Sequence, residues 1–73
     1  MNRLVNILHS LHPEVDMFRE EGLMDKGILD SFDIITIVAE VDEAYAVTIP
    51  PEELTAENFN SAQALYALVL RLL

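Results

Sequence analysis

The chain of 73 residues reads as an all-α protein, a small four-helix bundle with a long first loop and a short third helix. Three observations predict this. Apolar residues recur three and four apart in separate stretches, the period of a helix with one buried face. The prolines and glycines stand between those stretches, where they punctuate the chain. Adjacent apolar pairs, Ile34-Ile35 and Ile37-Val38, break the alternation that a half-buried strand would need, although these residues are β-branched.

A chain of this length forms one domain, 1–73, and buries only about 60% of the surface it exposes when unfolded. It has no cysteine, so no disulfide or thiolate metal site reinforces it, and stability must come from the 52% of residues that are hydrophobic. The first helix places Leu4, Val5, Leu8 and Leu11 on one face, with Asn2 as a possible N-cap. It ends at His12-Pro13, because a residue before proline avoids the α region. Residues 13–29 show no sustained helical period and contain Gly22 and Gly27. A loop this long in a small domain is expected to be pinned by its own apolar side chains, for which Val15, Met17, Phe18, Leu23, Met24, Ile28 and Leu29 are available.

Residues 31–45 carry the strongest helical signal. Ile34, Ile37, Val38, Val41 and Tyr45 form the core stripe, and Asp30 stands at the N-cap position. Residues 46–51 then form an extended connector with Val47 and Ile49 turned inward, and Pro51-Glu52-Glu53-Leu54 opens a short helix. The last helix begins at Asn60 or Ser61 and runs to Leu73. Gln63 is placed to close a capping-box-like bond, and Leu65, Leu68, Val69 and Leu72 form its buried face.

Charge narrows the function classes. Thirteen acidic and four basic residues give a net charge of −9, which repels nucleic acids and anionic lipid head groups. Partners are expected to be basic proteins. The N-terminal stretch is too short and polar for a signal peptide, and no apolar run approaches the ~20 residues of a membrane span. A cytoplasmic monomer that does not insert into membranes is the expectation.

The helix over 31–45 divides into three sectors. Beside the core stripe lies an acidic one, Asp33, Glu40 and Glu43 with Thr36 among them, at spacings of three, four and three. Phe32, Ile35 and Ala39 form an apolar shoulder next to it. An apolar patch flanked by like charges is the layout of a docking surface, steered by charge and held by contact. Ser31 heads this helix, where unpaired backbone N–H groups and the helix dipole would stabilise a phosphodiester on its Oγ. The residues alone leave another reading open, in which Asp30 caps the helix and Ser31 is an ordinary first-turn residue.

The run Gly27-Ile28-Leu29-Asp30-Ser31-Phe32, the apolar helix with acidic outer positions, and the exit Val47-Thr48-Ile49-Pro50 together resemble the acyl carrier protein family. The resemblance follows the element order of the whole chain, and its specific part is confined to residues 27–50. It implies a non-enzymatic carrier in which Ser31 receives a 4′-phosphopantetheine arm from a phosphopantetheinyl transferase, with coenzyme A and magnesium as donor and cofactor. The arm would carry acyl or aminoacyl groups as thioesters between loading and transfer enzymes. The same resemblance places Asp30 at the acidic position before the modified serine, and Asp33, Glu40 and Glu43 on the face that meets basic patches of partners.

There are two departures. Ala46 stands where the family commonly has glycine. Phe32 stands where fatty-acid carriers usually have leucine, and the segment around it is more similar to D-alanyl carrier proteins. Cargo therefore stays open among fatty acid, polyketide, nonribosomal peptide and D-alanine. The alternative from another class is an acidic helical interaction module with the same fold and no arm. His9 and His12 are three apart, but no matched carboxylate or cysteine spacing completes a metal site, so both read as polar surface residues. Nucleophilic catalysis by Ser31 would need a positioned base and oxyanion donors, and neither histidine is near it in sequence.

Overall fold

Helix α1 (Asn2–Leu11) buries Leu4, Val5 and Leu8 on one stripe, with Leu11 packed at its margin. The computed structural model describes residues 2–73. Asn2 is already helical, so the cap position falls outside the described residues. The helix stops where His12 N–H makes its last bond, to the Leu8 carbonyl at 3.2 Å, because Pro13 has no N–H with which to continue.

Residues 13–29 form no helix longer than a turn. They are pinned by Met17, Leu23 and Leu29, all buried, with Val15, Met24 and Ile28 packed against the core. Phe18 departs from the expectation of an anchor, since it is 53% exposed. Its N–H is drawn to Asp16 Oδ1 at 3.1 Å and its carbonyl accepts from Gln63 Nε2 at 3.0 Å. The turn so fixed gives the core position to Met17 and leaves the Phe18 ring at the edge of an open groove against α1. Gln63 is thereby committed to the loop and makes no capping-box bond.

The firmest tie on the loop comes from Asn60. Its Oδ1 accepts from the N–H groups of Met24 at 2.9 Å and Asp25 at 3.0 Å, and its Nδ2 donates to Asp25 Oδ2 at 3.1 Å. Its own carbonyl accepts from Leu23 N–H at 2.9 Å. Within the loop, Lys26 Nζ lies 2.8 Å from Glu20 Oε1, which also accepts from Gly22 N–H at 3.1 Å. That pairing holds the Glu20 carboxyl below the usual carboxylate range. Gly27 has φ 71°, a left-handed turn conformation that a side chain would strain.

Helix α2 (Ser31–Tyr45) follows its expected bounds and buries Ile34, Ile37 and Val41, with Val38 and Tyr45 partly buried. It ends on Ala46 at φ 56° and ψ 41°, whose N–H bonds the Asp42 carbonyl at 2.9 Å. The left-handed C-cap is thus kept without glycine, and a Cβ there costs roughly 1–2 kcal/mol. Glycine would relieve that strain but add about 0.4–1 kcal/mol of unfolded-state freedom. Ala46→Gly is therefore expected to stabilise the chain by about 0.5–1 kcal/mol, read as a higher denaturation midpoint at unchanged slope in urea.

Val47 and Ile49 turn inward from the connector, each 4% exposed. The short helix expected from Pro51 is divided. A single 3₁₀ turn (Pro51–Glu53) ends at Leu54, and α3 (Ala56–Phe59) restarts with the Thr55 hydroxyl as its cap. The Asn58 amide holds the two pieces together by donating to the Glu53 carbonyl at 2.9 Å and to its Oε1 at 3.1 Å. Helix α4 (Ala62–Leu72) starts at Ser61, whose Oγ accepts from Ala64 N–H at 3.0 Å. Ala62, Leu65, Leu68 and Val69 are buried along it. Helix α1 packs against both α2 and α4, and α3 packs against α4. Among the described residues no helix is long and apolar enough to cross a membrane.

Candidate functional site

Asp30 has an extended backbone, φ −105° and ψ −177°, and its Oδ1 accepts from Asp33 N–H at 2.8 Å. Asp33 Oδ2 in turn accepts from Asp30 N–H at 3.3 Å. The pair closes a capping box around the first turn. Ser31 sits inside this frame as the first helical residue, and it is exposed. The N–H groups of the first turn have no intrahelical carbonyl partner and lie at the positive end of the helix dipole; Asp30 Oδ1 takes that of Asp33, and the two carboxylates of the box offset part of the dipole.

A groove of about 490 Å³ opens beside Ser31, walled by Met24, Leu29, Ile34, Ile35 and Leu54. Three elements build it: the end of the long loop, α2, and the 3₁₀ turn. Sequence reasoning found Ser31, Asp30 and Ile35 here but not Met24, Leu29 or Leu54 as walls. For Leu54 the available signal was its place as the apolar residue closing a turn of prolines and acids; it is 41% exposed.

The apolar shoulder is present and exposed. Phe32 is 76% and Ile35 68% accessible, with Ala39 exposed on the next turn. Glu40 and Glu43 are exposed along one edge of it. Asp42, which the spacing argument passed over, is exposed on the other edge, three residues from Ala39 and seven from Ile35. Thr36 is half-buried and spends its hydroxyl on the Phe32 carbonyl at 3.1 Å.

Asp33 departs from its expected outward position. Its side chain is 17% exposed and turned toward the end of α1, where Oδ2 lies 2.9 Å from His12 Nε2. The His12 bond, more than any other contact, holds the Asp33 carboxyl below the usual carboxylate range. His12 is correspondingly more than a polar surface residue. Its only sequence-level signal was its place immediately before a helix-ending proline.

All thirteen acidic side chains lie between Glu14 and Glu57, so α1 and α4 carry none. The arrangement presents an accessible hydroxyl at a helix N-terminus, an apolar groove leading away from it, and an acid-edged apolar face on the same helix.

No family model matches the chain, and no solved structure matches it. Curated relatives do. A D-alanyl carrier protein of Streptococcus suis (strain 05ZYH33) is 30% identical over 71 residues, covering 96% of this chain and 90% of the relative. D-alanyl carrier proteins of Lactococcus lactis subsp. cremoris (strain MG1363) and subsp. lactis (strain IL1403) are each 37% identical over 57 residues, covering 74% of this chain and 72% of the relative. Likeness that runs through nearly the whole length, on a helical bundle with a capped serine at its second long helix, has one reading: the chain belongs to the carrier-protein family that includes the D-alanyl carrier proteins.

Proposed function

We propose that this single-domain chain, 1–73, is a non-enzymatic carrier that holds an aminoacyl group, D-alanyl by the names of its relatives, as a thioester on a 4′-phosphopantetheine arm attached to Ser31. The observation that carries this reading is the exposed Ser31 hydroxyl, framed by the capping box and opening onto the apolar groove. The residues present fit the arm. The N-terminal end of α2 favours its phosphodiester, and Met24, Leu29, Ile35 and Leu54 offer apolar walls to its base. When bound, the arm supplies the thiol that forms the thioester.

The chain's own residues do the rest. Asp30 and Asp33 order the first turn, so the attachment point is rigid where the transferase must find it. Phe32, Ile35 and Ala39 provide contact for partner enzymes, and Glu40, Glu43 and Asp42 attract their basic patches from both edges. Thr36 lies among them, its hydroxyl spent on the Phe32 carbonyl. Phosphopantetheinyl transferase and the loading and transfer enzymes are the partners of this face, met in the cytoplasm by a monomer.

Incubation of the purified chain with coenzyme A, magnesium and a broad-specificity phosphopantetheinyl transferase is expected to raise the intact mass by one arm. Ser31→Ala, folded by circular dichroism, is expected to take none. A chain that gains no mass with several transferases would sink the reading and leave an armless interaction module. Loading of the holo form by a D-alanine-activating enzyme, in preference to acyl-activating ones, tests the cargo.

A further inference from the structure

The turn after α1 brings a histidine against the helix that begins with Ser31. His12 Nε2 lies 2.9 Å from Asp33 Oδ2, and His12 Nδ1 lies 3.3 Å from Glu14 Oε1. Both ring nitrogens therefore face carboxylate oxygens. A neutral imidazole has one N–H and would set its lone pair against the second carboxylate, whereas an imidazolium donates to both. Asp33 Oδ2 is the same atom that accepts from Asp30 N–H at 3.3 Å to complete the capping box. One carboxylate oxygen thus ties the end of α1 to the N-cap of α2, next to Ser31.

We propose that His12 is a positioning residue for Ser31: as an imidazolium it pins Asp33, holds the capping box closed, and keeps the first turn of α2 ordered, and losing its proton loosens that turn. The consequence for arm attachment rests on the reading of Ser31 given above. The clip itself does not.

The groups facing His12 come from each neighbouring element. Glu14 belongs to the loop, Asp33 and, through it, Asp30 to the start of α2, and His9 stands one turn back on α1. The two carboxylates that bond the ring, Asp33 and Glu14, favour the proton on His12. Its pKa is raised above the ordinary histidine value of 6.5, chiefly by the Asp33 bond, with desolvation opposing. Asp33 is lowered from 3.8, chiefly by the same bond. The signs define a window. A raised histidine contributes in full below 6.5 and loses its contribution as pH rises through the folded value. A lowered carboxylate contributes above 3.8 and loses it as pH falls through its folded value. The clip is complete between those limits. With side chains 24% and 17% exposed, solvent screens it, so its effect is moderate and concentrated on the geometry of the turn.

The test compares the full chain, without an arm, with His12→Gln, which keeps a donor amide but does not titrate. Between about pH 5.5 and about pH 9, the amide resonances of Asp30, Ser31 and Asp33 are expected to shift together with the His12 ring, with a midpoint above 6.5. In His12→Gln they are expected to stay flat over the same range. Amides that do not follow the ring in the parent, or that titrate unchanged in the variant, overturn the proposal. The ratio of parent to variant arm-transfer rates, in which the transferase's own pH dependence cancels, is expected to fall about threefold across the titration. A ratio independent of pH also overturns the positioning role. A chain that accepts no arm at any pH rejects the attachment reading alone, and the amide titration then decides the clip.

Discussion

Phe59→Ala will cost about 3–5 kcal/mol of folding stability, against a total of about 4–11 kcal/mol for a domain of this size. Phe59 ends α3, is 1% exposed, and is the largest fully buried side chain. The helix it anchors has only four residues and no stability of its own, so the ring is what docks that segment against α4. Its loss leaves a cavity in a core too thin to collapse around it. Urea denaturation followed by circular dichroism measures the effect. Phe32→Ala, at a ring 76% exposed, is the internal comparison and is expected to stay within about 0.5 kcal/mol of the parent. Equal losses at the two positions would contradict the burial argument.

The second large effect belongs to a polar residue. Asn60→Ala removes the acceptor of two backbone N–H groups, those of Met24 and Asp25, and the donor to the Asp25 carboxylate. An alanine cannot replace any of the three. The expected cost is about 2 kcal/mol, since the half-buried Met24 amide is left without its partner. The damage is also local in kind. Hydrogen exchange should quicken at Leu23, Met24 and Asp25 before it quickens in α1 or α4, because these amides lose the side chain or the fixed backbone that holds them. Uniform loss of protection would mean that Asn60 serves the global fold instead of the loop. Met24 and Leu29 wall the groove beside Ser31, so the same substitution is also expected to disturb that site.

These two residues mark the boundary of what the sequence discloses. Helix α2 was legible to its ends because everything that defines it is local: the apolar period, Asp30 before it, and the extended connector after Tyr45. Ser31, Phe32 and Ile35 inherited their placement from that helix. Asn60 was legible only as a candidate cap, since its true partners lie 35 and 36 residues away. Asp33 shows the same limit more sharply. By spacing it joined the outer acidic sector, but that sector's edge is the side of α2 that meets α1, and His12 stands 21 residues upstream. Phe18 misled for the opposite reason, because apolar character alone does not decide which of two adjacent turn residues, Met17 or Phe18, enters the core. Periodicity reports which face of one element is apolar, and it is silent about which polar groups meet when elements pack.

The packing of α1 against α4 gathers the acid-free ends of the chain together, with Arg3 and Arg71 as their charged residues, while every carboxylate side chain falls in the intervening stretch. Both arginines nevertheless stand beside carboxylates, Arg71 Nη1 3.6 Å from Glu53 Oε2 and Arg3 in one cleft with Glu40 and Glu43. A cationic surface attracts the acidic stretch more strongly than α1 or α4, and collisions led by those two helices become a minority of encounters. The selection operates through solvent over roughly a Debye length, about 8–10 Å at moderate ionic strength, and therefore relaxes as salt is added.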